Sequence, residues 1–162
     1  MPRMEPQEAR RRFAAARVAR LATVDPAGRP HLVPVVFAVP DRHTVVTAVD
    51  HKPKTTTRLK RLRNIAAHPF VSLLADAYDE DWARLWWVRA DGVARILPPG
   101  APGEPSDPES WRERQEALAL LRSRYPQYAD HPPDGAVVTV RVRRWTGWTA
   151  NSSATDGGCP AR

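Results

Sequence analysis

The chain has a single cysteine, Cys159, close to its C-terminal end. One thiol excludes an intrachain disulfide and any zinc site built from several cysteines. No apolar run approaches the roughly 20 residues that a helix needs to cross a bilayer. The first residues, MPRMEPQEARRR, are basic but lead into no apolar segment. They are not read as a secretory signal, and a cytoplasmic protein is expected. No grouping of His, Asp and Glu has metal-ligand spacing. No G-x-S-x-G nucleophile motif occurs, and no segment repeats. No metal site is expected and no catalytic side chain is assigned.

Positive charge, by contrast, is plentiful. Lys and Arg number 25 against 18 Asp and Glu, a net charge of +7, and almost all of the positive charge is arginine. A basic surface can meet nucleic acid, a membrane surface or an anionic small molecule. A single-strand-binding barrel interleaves aromatics with Lys and Arg on an exposed strand face. Here the tryptophans are mostly embedded in apolar strands, so neither nucleic acid nor a membrane is the expected partner, and a small molecule is. The length suits one domain with a hydrophobic core, read as residues 1–150, and a flexible polar tail over 151–162.

Periodicity and turn residues divide the chain. Residues 6–17 read as an amphipathic helix with Ala9, Phe13 and Ala16 on one face. Residues 18–24 alternate as a strand, and Asp25-Pro26-Ala27-Gly28 is a hairpin turn in which glycine supplies positive φ. The return strand is predicted over 31–39 (HLVPVVFAV). Pro34 lacks an N–H, so this strand should have a gap or lie at an edge. A third strand covers 44–49 and a fourth 70–75. Residues 82–97 form a long strand or a hairpin, with Asp91-Gly92 its bend or bulge. Trp86 and Trp87 are expected in the core or in a subunit interface. Asp107 and Pro108 open a helix whose apolar stripe is Trp111, Leu118, Leu121 and Tyr125. Residues 136–145 alternate, with Val138, Val140 and Val142 on one face. The fold class is mainly β with α: a small barrel, Greek-key-like or split, with peripheral helices.

One stretch stands out, residues 45–67 (VVTAVDHKPKTTTRLKRLRNIAA). It reads as a buried strand, a basic turn and a helix over about 55–67 that Thr55, Thr56 and Thr57 can cap. Leu59, Leu62, Ile65 and Ala66 would be buried, and Arg58, Lys60 and Arg61 left outside. A helix start has free N–H groups and partial positive charge, which favour an anion. Lys52 and Lys54 add point charges beside it, so a phosphate is expected there.

The segments ARLATVDPAGRPHLVPVVFAV (19–39), TAVDHKPKTTTRLKRLRNIAAHPFVSLL (47–74) and RRWTGW (143–148) resemble the flavin-binding split-barrel superfamily of pyridoxamine phosphate oxidase-like proteins. Within it the chain is most similar to the actinobacterial branch of oxidoreductases that use the deazaflavin coenzyme F420; related branches bind FMN or haem on the same scaffold. The resemblance implies a homodimer with two cofactor sites at the subunit interface. It places the tricyclic ring against Pro34, Val35, Val36 and Phe37, and the phosphate at Lys52, Lys54, Thr55 and Thr56. Trp145 and Trp148 would close the site of the opposite subunit. Arg58 and Arg61 are candidates for the polyglutamate tail of F420. The implied reaction is hydride transfer between F420 and an unsaturated or conjugated substrate; the alternatives are an FMN-dependent oxidase or flavin reductase, or a cofactor carrier without turnover. No match to the C-terminal substrate-phosphate arginine motif of the pyridoxamine oxidases is present, so pyridoxine chemistry is not implied.

Overall fold

A computed structural model describes residues 3–50, 59–99 and 107–151. In chain order the elements are β1 (Arg3–Met4), α1 (Pro6–Ala15), β2 (Ala19–Val24), β3 (Pro30–Val35), β4 (Ala38–Asp41), β5 (Thr44–Ala48), α2 (Lys60–Ala67), β6 (Phe70–Ala77), β7 (Trp86–Leu97), α3 (Pro108–Arg124), α4 (Pro126–Asp130) and β8 (Val137–Thr149). All strand pairs are antiparallel. The order is β3-β2-β6-β7-β8-β5-β4, with β1 added to β8. The sheet curls around a core, but β3 and β4 at its two ends do not pair, which is the expected split barrel.

Alternation explains most strands. Leu21, Val71, Leu73, Val88, Ala90, Val138, Val140 and Val142 point inward to the first core cluster, together with Phe13 from α1 and Ile65 from α2. A second cluster lies under α3 and α4, where Leu118, Leu121, Tyr125 and Tyr128 cover Val46, Leu97 and Val137. Val137 and Thr139 are therefore buried too, because both faces of this part of β8 are covered. Gly28 takes φ +80 in the β2–β3 turn. Asp25 holds that turn by accepting from the Ala27 and Arg29 N–H groups. Pro34 does sit on an edge strand, since β3 ends the sheet order.

Five expectations are corrected. The return strand does not run through 31–39. It stops at Val35 and resumes at Ala38. At the break, the Tyr125 hydroxyl accepts from the Phe37 N–H (3.1 Å) and donates to the Phe37 carbonyl (2.8 Å), in place of a strand partner. The described helix α2 begins at Lys60, and its N-cap position is held by Leu59, extended and without a side-chain cap. Thr55, Thr56 and Thr57 lie outside the described residues. On α2 it is Asn64, not Ala66, that is buried beside Ile65; its amide donates to the Thr23 hydroxyl at 3.0 Å. The same helix half-buries Arg61, which was expected in solvent. Trp111 is exposed rather than part of the α3 stripe, and Ala117 takes the inward position.

The Asp91-Gly92 bulge is present as a register shift against β8. A Cβ at Gly92 would lie 2.3 Å from the Arg141 carbonyl oxygen. Backbone cannot yield as a side-chain tip can, so Gly92→Ala is expected to cost about 1–3 kcal/mol. The check is a lower denaturant midpoint at unchanged slope.

Candidate functional site

The break after β3 and the end of β5 meet in a cleft of about 150 Å³. Its apolar wall is Val18, Pro34, Val35 and Val36; its polar wall is Asp50, Arg61 and Tyr128. Thr47 of β5 donates its hydroxyl to the Val36 carbonyl at 2.7 Å, which fixes the wall where regular pairing stops. Asp50 follows β5 by two residues and Arg61 lies in the first turn of α2, so the cleft lies between the last described residue before 51–58 and the first helix after them.

Its electrostatics are uneven. The Tyr128 hydroxyl donates to the Asp50 carboxylate. Burial, then that bond and the carboxylate charge, push the phenol well above its usual value, so it stays protonated. Burial also lowers the pKa of Arg61, with the charge of Asp50 opposing that shift. Among the described residues no carboxylate lies within ion-pairing distance of Arg61. A half-buried guanidinium without a partner is costly and is available to an anion. An apolar wall beside a cation without an ion pair among the described residues fits a flat aromatic group joined to a phosphate.

The other predicted residues separate. Phe37 is fully buried, its ring 4.7 Å from Phe13, and so backs the wall rather than lining it. Lys52, Lys54, Thr55, Thr56 and Arg58 lie outside the described residues, as does His51. Trp145 points inward, 5.3 Å from Phe13, with its indole N–H donated to the Arg42 carbonyl. Trp148 lies on the opposite, outer face of the sheet, and its indole nitrogen is buried without a partner. Asp50, Thr47 and Tyr128 were not foreseen.

Cross-strand partners define that outer face. One row runs Thr146, Arg89, Leu74, Arg20, Pro34, and the next Arg144, Asp91, Ser72, Ala22, Leu32. Trp148, Trp87 and Asp76 form a third. Pro34 and Trp148 share the face but are four strand steps apart, roughly 19 Å at the usual spacing. Within the second row, burial alone would raise the pKa of Asp91, but bonds from Ser72, Arg89 and Arg144 more than offset it and the net shift is downward. A carboxylate with a depressed folded pKa stabilises above its unfolded pKa and loses that contribution as pH falls through the folded value. The stability of Asp91→Asn should therefore fall less steeply than wild type on acidification below about pH 4, read from denaturation midpoints across that range.

A larger concavity, about 600 Å³, lies elsewhere, between the β4–β5 turn, β7, β8 and α3. It contains none of the predicted residues, and size does not outweigh that. Among the described residues no three His, Cys, Asp or Glu could hold a metal ion. None of the described helices is long and apolar enough to cross a membrane.

A sequence model of the family described as pyridoxamine 5'-phosphate oxidase matches residues 6–149. No curated protein matches the sequence significantly. Among solved structures, the fold is similar to the conserved hypothetical protein Rv2991 of Mycobacterium tuberculosis (23% identity, 91% of this chain and 86% of that one, TM-score 0.68). It is also similar to an FAD-binding protein of Mesorhizobium loti (18% identity, 90% and 95%, TM-score 0.66). A third likeness is to the FAD binding protein of Mycobacterium smegmatis (22% identity, 91% and 98%, TM-score 0.59).

Proposed function

The chain belongs to the pyridoxamine 5'-phosphate oxidase family, and from that premise we propose that it is an oxidoreductase that binds a phosphorylated flavin, FMN, in the cleft between β3, β5 and α2. The observation that carries this is the pairing of the Pro34–Val36 wall with the half-buried guanidinium of Arg61, which has no ion pair among the described residues, across one cleft. The flavin supplies hydride and electron transfer when bound, and the protein supplies binding and orientation. Pro34, Val35 and Val36 give the ring a flat apolar wall. Thr47 keeps that wall in place through the Val36 carbonyl. Arg61, with Lys52, Lys54, Thr55 and Thr56 of the basic turn, holds the phosphate. Tyr128 keeps Asp50 turned to itself and away from that anion.

The cleft is small for a whole flavin, and this favours completion by a second copy. In a homodimer joined through the outer face, Trp148 of one protomer reaches the Pro34 edge of the other, which the four strand steps forbid within one chain. Trp145 supports that strand from beneath.

A second reading, coenzyme F420 with a small unsaturated or conjugated substrate, is favoured by the basic run of α2. Arg61 lines the cleft, and with Lys60 on the same helix it gives α2 a basic start that suits a polyglutamate tail. Titration of the purified protein with FMN and with F420, followed by absorption and fluorescence, separates the two. Saturable binding of FMN supports the first reading, saturable binding of F420 alone supports the second, and binding of neither removes both.

A further inference from the structure

The concavity of about 600 Å³ between the β4–β5 turn, β7, β8 and α3 has no part in the flavin reading. Its volume is that of a small-molecule pocket. One cross-strand row, Thr44, Arg141 and Val93, forms its floor, and the next row adds Thr139 and Arg95. Glu113 of α3 walls one side, and Arg42 and His43 of the β4–β5 turn wall the other. Thr44 here and Asp50 in the flavin cleft are roughly 20 Å apart at the usual rise per residue.

Three arginines face two carboxylates in this lining. Both carboxylates are engaged. Glu113 accepts from Arg95 at 2.5 Å. Asp41 accepts from the His43 N–H at 2.7 Å and from the Thr44 hydroxyl at 3.1 Å. Arg42 and Arg141 have no ion pair among the described residues. The backbone that carries them is fixed. The Arg42 carbonyl accepts from the Trp145 indole N–H at 3.2 Å, and the His43 carbonyl accepts from the Val142 N–H at 2.7 Å. These two bonds pin the turn to β8 beside Arg141, so little backbone freedom is lost when the pair closes on an anion.

We propose that this concavity is a second binding site, for a phosphate monoester with a neutral, hydroxylated body of sugar size. Two guanidiniums without carboxylates match a dianion, and their planar forks suit phosphate oxygens. A bare phosphate would leave most of the concavity empty. The rest of the lining offers the Thr44 and Thr139 side chains, the apolar surface of Val93, and the lone pairs left on Asp41 and Glu113. Carboxylate lone pairs accept from hydroxyl groups and repel a second anion. The ligand therefore carries its charge at one end only. The site stands whether or not the flavin cleft is filled.

The test is calorimetric titration of the full chain with ribose 5-phosphate, ribose and inorganic phosphate. Ribose 5-phosphate should bind saturably, inorganic phosphate more weakly, and ribose not at all. Arg42→Gln and Arg141→Gln keep the stems and lose the charge, and each should weaken ribose 5-phosphate at least about tenfold. Circular dichroism and melting temperature should stay at wild type. Arg122→Gln, exposed on α3 outside the lining, and Arg61→Ala in the flavin cleft should both leave this affinity unchanged. Wild-type affinity in both glutamine variants of the lining, with loss in Arg61→Ala, puts the phosphate in the flavin cleft and overturns the second site. Absence of saturable ribose 5-phosphate binding, or inorganic phosphate binding equally tightly, overturns it as well and leaves the flavin reading standing.

Discussion

Replacing Arg61 with alanine is expected to weaken flavin binding roughly 10- to 100-fold, the range of one lost hydrogen-bonded charge contact, while stability changes little. Two facts separate those effects. Arg61 has no carboxylate partner among the described residues, so its removal orphans nothing in the free protein. It lines the cleft beside Pro34, Val35 and Val36, so its removal takes the described cation away from a bound phosphate. Arg61→Lys keeps a charge but not the planar fork, and falls between. Arg63→Ala, two positions on and exposed, is the control and leaves affinity near wild type. A guanidinium stays protonated and a phosphate monoester is a dianion well above its second pKa of about 6, so the loss is independent of pH between about 7 and 9 but shrinks as added salt screens the wild-type contact. Flavin fluorescence titrations give all four numbers. Equal affinities for wild type and Arg61→Ala would remove the phosphate from this cleft.

Under the proposed function, Lys52 and Lys54 add to that charge. Lys52→Ala with Lys54→Ala should weaken binding further without unfolding the protein, because turn lysines contribute little to stability. Measured together with Arg61→Ala, the three substitutions tell whether the anion is held at one end of the turn or by both.

Local signals carried most of the fold. Alternation in 18–24 and 136–145, the glycine in the β2–β3 turn and the Asp107-Pro108 helix start each act within a few residues, so the strand and helix positions were legible. Pro34 was legible as an edge residue for the same reason, since a missing N–H constrains its own strand. The break at Phe37 was not. Its cause is the Tyr125 hydroxyl, 88 positions away in the chain, and nothing in HLVPVVFAV points to it. Arg61 was misplaced by residue type. Helical spacing puts it four positions before Ile65, on the same side of α2, so its half-burial was legible from the pattern; only Tyr128, which lines the same cleft from α4, was not. Asp50 and Thr47 read as ordinary ends of a buried strand. Their roles arise only when the β3 edge is laid beside them. Long-range packing, then, turned a legible edge strand into a cleft.

The same packing predicts the largest stability effect. Phe13→Ala should cost about 3–5 kcal/mol, the usual toll of deleting a buried aromatic ring. For a chain of this length that is a melting-temperature loss of roughly 10 °C or more, against a total stability of about 5–15 kcal/mol for a typical domain. Phe13 is completely buried and joins three elements: its own helix α1, Phe37 at the β3–β4 break, and Trp145 of β8. Phe37 is gripped from its other side by the Arg124 guanidinium, 5.2 Å from the ring, and by the Tyr125 hydroxyl. Its backbone therefore cannot move inward to fill the void, and the cavity term is retained rather than relaxed. Phe13→Leu refills most of the space and should cost well under half as much. Val36 precedes Phe37 directly, so loss of the Phe13 ring also loosens the cleft wall, and flavin affinity should fall even at temperatures where Phe13→Ala remains folded. A denaturant-unfolding cost below 1 kcal/mol would mean that α1 does not clamp this break at all.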